Sequence, residues 1–324
     1  MPSAAPPSAP LVLAAGDLLS DLSLSASELR ALLDLAHSIK RNPTRYASSL
    51  RHRYLSQLFE KPSLRTRLTF ELAIMQLGGD AVSSVGPIGD REPTKDIARN
   101  LDRWTNAIVA RTFRQDTIDE LAKWSSVPVI NALSDLYHPC QVFADMQTIE
   151  ERFGSAKGLK LTFVGDGNNV AVSLMQAAAL AGTDFAIAAP IGFQIDPGLV
   201  EEARAVAKKS GSEVVVTTDP EEAASEADAL YADVWLSMGD SDSTRAARHE
   251  ALAPYQITAQ LLDQAKPDAL FMHCLPAHRG EEVTAEVADG PRSVIFDQAE
   301  NRLHTAAAIL YSLIEGKLEG ARRG

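Results

Sequence analysis

Cysteine is scarce in this chain: Cys140 and Cys274 are the two in 324 residues. That excludes a secreted disulfide framework and a spaced zinc motif, and it suits a reducing cytoplasm. Long apolar runs are missing too, with nothing near the roughly 18 residues that a membrane helix needs. Basic charge is the minority, with 31 Lys and Arg against 43 Asp and Glu and a formal net charge of -12, so a general nucleic-acid surface is not expected. Any local cluster of arginines therefore calls for a specific anion. The opening "MPSAAPPSAP" has no cationic segment leading into an apolar one, so residues 1–16 read as a disordered tail and not as a signal peptide.

What is present is the composition of a globular protein, 45% hydrophobic and 23% charged, on a chain long enough for two domains. "SASELRALLDLAHSIKRN" opens with a capping box, Ser25 to Glu28, and continues with Leu29, Leu32, Leu33, Ala36 and Ile39 at helical spacing. Beyond it, short β-branched runs alternate with helical segments: "YLSQLFE", a helix from about Ser63 to Leu77, "DAVSSVG", "TKDIARNLDRW", "NAIVARTF", "DTIDELAKW", "VPVINAL" and a helix containing "HPCQVFADMQTIEERF". The alternation restarts after the Gly/Ser-containing "GSAKG" at 154–158, with "LKLTFVGD" as its first strand, "ITAQLLDQAK" as its last helix and "ALFMHCLP" as its last strand. This pattern predicts an α/β fold of two doubly wound domains, each a mainly parallel sheet with helices on both faces, over residues 1–150 and 151–324. In such sheets ligands bind beyond the carboxyl ends of the strands. The residues to inspect are therefore Ser63 to Arg67, Arg111, His138 to Gln141, Asp166 to Asn169, Asp233 to Gly239 and His273 to Pro276.

"FEKPSLRTR", residues 59 to 67, ends a strand at Pro62 and Ser63 and puts Arg65 and Arg67 in the first turn of a helix. First turns ordinarily favour acidic residues, because their backbone N–H groups already carry partial positive charge. Those N–H groups, the Ser63 and Thr66 hydroxyls and the guanidiniums suit a phosphate. Pairing of the arginines with surface carboxylates is the plainer alternative. His138 precedes a proline at the first helical position, where its pKa is expected to be lowered so that a neutral imidazole donates to a carbonyl oxygen; capping the helix is the other role open to it. Arg111 ends a buried strand and needs a partner there.

"GDGNN" at 165–169 lacks the third glycine of a dinucleotide fingerprint, and "DFAIAAP" ends without the acidic residue that holds a ribose, which speaks against a dehydrogenase. In "DVWLSMGD", Asp233 suits an ammonium, and Ser237 with the backbone at Met238 and Gly239 suits a carboxylate, together the α-groups of an amino acid; an ordinary strand-to-loop turn fits the same residues. His273 and Cys274 are strand neighbours facing opposite sides, so they do not form a nucleophile and base, and a buried inert thiol is the commoner reading.

Taken in order, "FEKPSLRTRLTFE", "ARTF", "HPCQ", "VGDGNN", "DVWLSMGD", "HCLPAHRGEEV" and "FDQAENRLHT" resemble the carbamoyltransferases over residues 17 to 317, and "SMG" with "HCLP" resembles the ornithine branch. The resemblance implies a cytoplasmic enzyme of arginine biosynthesis without a cofactor or metal. It would transfer the carbamoyl group of carbamoyl phosphate to L-ornithine as a homotrimer with active sites at subunit interfaces, binding neither nucleic acid nor membrane. It assigns Ser63, Leu64, Arg65, Thr66, Arg111, His138, Gln141 and Arg302 to carbamoyl phosphate, and Asn169, Asp233, Ser237, Met238, Cys274 and Leu275 to ornithine. Arg111, His138 and Cys274 are its catalytic set, with Cys274 as an orienting contact. The first domain would bind carbamoyl phosphate and the second ornithine, with a C-terminal helix at about 302–317 packing back on the first. The chain departs from the usual pattern at Leu64, Pro87 and Val172. "PSLRTR" also resembles enzymes that act on N-acylated ornithine; these and putrescine are the alternative acceptors.

Overall fold

The computed structural model describes residues 10–236 and 242–323, the side chains at 242–244 and 317–323 excepted. The chain forms two compact units. One runs to Gln147 and includes the chain from Glu300 onward; the other is Thr148–Ala299.

In the first unit, α1 (Ala26–Arg41) starts at the capping box, where Glu28 N–H donates to Ser25 Oγ and the Glu28 carboxylate accepts from Ser25 N–H. Its Leu29, Leu32, Leu33, Ala36 and Ile39 form one buried stripe. Then come β1 (Tyr54–Phe59), α2 (Leu64–Gln76), β2 (Asp80–Val85), α3 (Thr94–Trp104), β3 (Ala107–Arg111), α4 (Gln115–Trp124), β4 (Val129–Leu133) and α5 (Pro139–Phe153). The strands pair in parallel in the order β2-β1-β3-β4. On one face Leu58, Ile108, Ala110 and Val129 meet Ala98 of α3 and Ile118 and Leu121 of α4. Strand side chains alternate between faces, so Leu55, Phe59, Ala107, Val109 and Ile130 form the opposite buried face.

The second unit continues with β5 (Lys160–Val164), α6 (Asn169–Ala181), β6 (Asp184–Ala188), α7 (Pro197–Ser210), β7 (Val214–Thr217), α8 (Pro220–Ala224), β8 (Ala229–Ala232), α9 (Asp242–Leu252), α10 (Ala259–Leu262), β9 (Leu270–His273), α11 (Ala285–Ala288) and α12 (Ile295–Arg323), the last of which runs on into the first unit. Its parallel sheet has the order β7-β6-β5-β8-β9. Val164, Ala186, Leu230, Ala232 and Phe271 pack with Ala223 and Ala224 of α8, Leu261 and Leu262 of α10 and Val287 of α11. The predicted helix over "ITAQLLDQAK" is one turn, α10, because Lys266 N–H leaves the helical ladder to bond Ala227 O. The polar α9 and the short α11 carry too weak an apolar period to be anticipated.

The strand orders place the ligand positions. Strand order changes direction between β1 and β3 in the first sheet and between β5 and β8 in the second. At each change the following helices diverge to opposite faces and open a crevice beyond the strand ends. Ser63 follows β1 and Arg111 ends β3; Asp166 to Asn168 follow β5 and Asp233 follows β8.

Candidate active site

In the first unit α2 begins without a self-made cap. Ser63 is the N-cap residue in extended backbone, its hydroxyl makes no capping bond, and the first turn has no acidic residue. The opening N–H groups of a helix have no intrahelical partner, so this end is suited to an anion. Thr66 is buried, and its hydroxyl accepts from Arg302 Nη2 at 2.7 Å, which leaves its own proton to be donated. Arg302, itself buried, also donates through Nη1 to Gln141 Oε1 at 2.6 Å, while Gln141 Nε2 donates to Asp145 Oδ1 at 2.8 Å. A chain of buried polar groups thus runs from α2 through α12 to α5.

His138 lies at the start of α5 and is buried. Its pKa is held well below the ordinary imidazole value, first by burial and then by the positive charges of Arg302, Arg111 and Arg65. A protonated ring there would be a further cation beside three guanidiniums, so the neutral form is the stable one. The loop before it is held by Ser134, whose hydroxyl donates to Gln115 Oε1 at 2.6 Å and accepts from the N–H groups of Leu136 and Tyr137. Arg111 sits at a register shift between Ala110 and Arg111, a local irregularity that re-aims the last side chain of β3. The adjacent Cys140 is no nucleophile: burial pushes its thiol up to about 12.

Arg67 does not join this group. It is exposed and, with Ser63, Leu64, Lys61 and Val85, lines a cavity of about 320 Å³. Residues two apart in a helix are rotated by about 200°, so Arg65 and Arg67 leave α2 on different sides. Arg302 and Arg111 supply the further charge beside Arg65 instead. Leu64 is exposed, whereas Val172 is buried in α6. Pro87 and Arg91 line a second cavity of about 320 Å³ with Asn100 and Trp104. One positioning residue escaped the motif reading: Glu60 accepts Ile88 N–H on one carboxylate oxygen and Phe113 N–H on the other, pinning the loops after β2 and β3 to the end of β1. Its signal was an acidic residue at the close of a buried strand.

In the second unit, β8 and β9 are paired with Ala232 opposite His273, so Asp233 and Cys274 emerge side by side. The Cys274 thiol donates to Asp233 Oδ1 at 2.9 Å, and Asn168 Nδ2 donates to Asp233 Oδ2 at 2.8 Å. Asn168 also caps α6, its Oδ1 accepting from Val170 and Ala171 N–H, so one amide ties the helix start to the carboxylate. Asn169, the first residue of α6, is half-buried beside it. Leu275 has the left-handed φ of 60°, uncommon for a branched side chain, and its N–H donates to His273 Nδ1 at 2.9 Å. Ser237 and Met238 lie outside the described residues. The glycines of "GDGNN" serve the fold: a Cβ on Gly167 would stand 2.5 Å from Ile195 N, and Gly167 N–H donates to Phe193 O. Close approach of the β6–α7 loop, not a pyrophosphate, accounts for that residue.

Asp233, His273 and Cys274 each offer a donor atom within 4.8 Å of the others, a set capable of holding a metal ion. The thiol and carboxylate are nonetheless bonded to each other, which suits a pair that orients a substrate. The two constellations therefore differ in chemistry. The first is cationic with a neutral imidazole donor, fitted to a phosphate and a developing oxyanion; the second presents a carboxylate, fitted to a cationic amine.

Residues 16–151 match the family model described as the aspartate/ornithine carbamoyltransferase, carbamoyl-P binding domain, and residues 157–313 match the Asp/Orn binding domain of the same family. Among curated proteins, an ornithine carbamoyltransferase of Acidothermus cellulolyticus is 50% identical over 302 residues, 92% of this chain and 96% of that one. One from Thermus thermophilus is 49% identical over 303 residues, 92% and 97% of the two chains. Among solved structures, ornithine carbamoyltransferase from Pyrococcus furiosus superposes with a TM-score of 0.91 at 42% identity, covering 94% of this chain and 99% of that one.

Proposed function

This chain belongs to the aspartate/ornithine carbamoyltransferase family, and from that premise we propose that it transfers the carbamoyl group of carbamoyl phosphate to the side-chain amine of L-ornithine, giving L-citrulline and phosphate. The observation that carries this reading is the convergence of Arg302, Arg111 and Arg65 on His138, which burial first and then their positive charge keep neutral. The phosphate rests on the N-terminus of α2, with Ser63, Leu64 through its N–H, Arg65 and Thr66. Arg111, His138 and the Thr66 hydroxyl face the carbamoyl oxygen. Gln141 and Arg302 hold the carbamoyl group and Thr66 in register.

The uncharged side-chain nitrogen of ornithine attacks the carbonyl carbon and the carbonyl oxygen takes up negative charge; the carbonyl then re-forms as the bond from carbon to the phosphate oxygen breaks, its electron pair leaves with the phosphate, and the nitrogen passes its extra proton to that phosphate. Donors aimed at that oxygen act where charge develops, and losing one typically costs about 2.7–4 kcal/mol. The nitrogen must first lose a proton. With a lysine-like pKa of about 10.4, this costs about 4.6 kcal/mol at pH 7. The protein needs no nucleophile of its own, consistent with a Cys274 thiol engaged by Asp233.

In the second unit Asp233 receives the α-ammonium, with Asn169, Ser237, Met238, Cys274 and Leu275 around the acceptor. An N-acylated acceptor has no cation for that carboxylate, and putrescine has no carboxylate to match the N–H groups after Ser237. A homotrimer fits the exposed stripe Leu64, Leu68, Leu72 and Met75 on α2 and Val82 and Val85 on edge strand β2, apolar surface next to the phosphate site. The biosynthetic direction fits the cleavage of an acyl phosphate, and a reducing cytoplasm fits two cysteines that form no disulfide. Among the described residues no helix is long and apolar enough to cross a membrane.

Acceptor profiling tests the proposal. Citrulline formation is expected with ornithine and little turnover with N-acetylornithine, N-succinylornithine or putrescine. No reaction with ornithine while another acceptor reacts would overturn it.

A further inference from the structure

The segment after β9, "AHRGEEV", folds into a tight turn in which Gly280 takes a φ of 94° and its N–H donates to Val283 O. The turn is held against the segment before α10 by Gln256 Nε2 donating to Glu281 O and by Ile257 N–H donating to Glu282 O. It brings His278, Glu281 and Glu282 together, each offering one donor atom within 4.8 Å of the others. Arg279 is turned away onto Asp289, so its charge does not neutralise the pair of carboxylates.

Glu282 is the unusual member. Its side chain is fully buried; Oε1 accepts His278 N–H and lies 3.2 Å from His273 Nε2, while Oε2 has no hydrogen-bond partner. A buried carboxylate oxygen without a partner is costly. That oxygen lies 3.9 Å from His278 Nδ1, which is also 3.9 Å from Glu281 Oε2. From α9, His249 brings Nε2 to 3.5 Å from the same Glu281 oxygen. These separations are too long for good hydrogen bonds and close to what a shared ion requires. With metal–ligand distances of about 2.0–2.2 Å, donors around a tetrahedral ion stand about 3.4 Å apart.

We propose that His278, Glu281 and Glu282 form a binding site for a divalent transition ion of the zinc class, with His249 standing beside Glu281 at its rim. Imidazole nitrogens select such ions over calcium or magnesium, and two carboxylates balance the charge. The Glu282 carboxylate is already oriented by the His278 N–H, as ligating carboxylates commonly are. The site is separate from the Asp233, His273 and Cys274 group and contains no sulfur. Its occupancy would bear on His273, whose Nδ1 holds Leu275 N–H.

The test is titration of Zn²⁺ into the chelator-treated full-length protein by calorimetry, with Co²⁺ absorption as a second readout. One equivalent is expected to bind, with visible Co²⁺ bands and no thiolate charge-transfer band. His278→Ala and Glu281→Gln, both at the partly exposed rim and checked for fold by circular dichroism, should each weaken binding at least about tenfold, the loss that even an outer-shell partner produces. Cys274→Ser should bind as the wild type does. Absence of binding, a thiolate band, or loss in Cys274→Ser with both rim variants unaffected would overturn the site.

Discussion

The hydrogen bond from Arg302 to Thr66 allows a quantitative test of the proposed oxyanion arrangement. Arg302 Nη2 donates to Thr66 Oγ1 at 2.7 Å and Nη1 donates to Gln141 Oε1 at 2.6 Å, so the fork fixes which way the threonine hydroxyl turns its proton. Thr66→Val keeps the shape and removes the donor; kcat/KM for carbamoyl phosphate should fall by about 10²–10³, the effect of deleting one oxyanion donor. Arg302→Lys keeps the charge but loses the planar fork, so the hydroxyl is no longer aimed, and a charge-assisted bond of about 1.5–3 kcal/mol is lost. In the double variant there is no hydroxyl left to aim. The two losses should therefore fall short of additive by about 1 kcal/mol or more, whereas independent sites add within about 0.3–0.5 kcal/mol. Initial rates for the four proteins at saturating ornithine give the cycle, each converted to a transition-state free energy. Additivity within experimental error, with all four folded, would refute the claim that Arg302 acts by orienting Thr66.

Four further outcomes follow from particular contacts. Asp233→Asn should raise the ornithine KM well above its effect on carbamoyl phosphate, since the carboxylate is the partner assigned to the α-ammonium; steady-state kinetics showing an unaltered ornithine KM would remove that role. His138 has a depressed folded pKa, so the unfolded chain binds its proton first. Stability is lost as pH falls below about 6.5, at up to about 1.36 kcal/mol per unit, until the folded-state value is reached. His138→Gln should flatten that part of a denaturation-against-pH series by one proton, and an unchanged slope would contradict the depressed value. The rate with ornithine should climb from pH 6 to 9 as its amine deprotonates; a flat profile with chemistry limiting would count against an uncharged nucleophile. Gly167→Ala would place a methyl 2.5 Å from Ile195 N and should lower stability by about 1–3 kcal/mol, read as a fall in thermal midpoint, whereas an unchanged midpoint would mean that the loop gives way freely.

Local features were legible in the residues themselves. The capping box at Ser25 and Glu28, the alternation of short β-branched runs with helices and the breaks at Pro62 and Gly165 are written in neighbouring positions, because periodicity and capping depend on a few adjacent residues. These features sufficed for two parallel sheets and for naming the strand ends, and the family motifs lay on those same ends. Arg67 shows the limit of that reading: an Arg pair in a motif looked like a clamp, but the helical twist turns its second member to solvent.

Tertiary structure alone decided which distant residues meet. Thr66 and Arg302 are 236 positions apart, and nothing local to either names the other. The lowered pKa of His138 depends on burial and on charges from α2, β3 and α12, a property of the assembled site and of no single segment. Likewise, Asn168, Asp233 and Cys274 share a hydrogen-bond chain because β5, β8 and β9 are neighbours in that sheet order. Strand order is settled by how whole faces bury against helices, a global packing energy, so the chemistry of each crevice exists only once the sheets have formed.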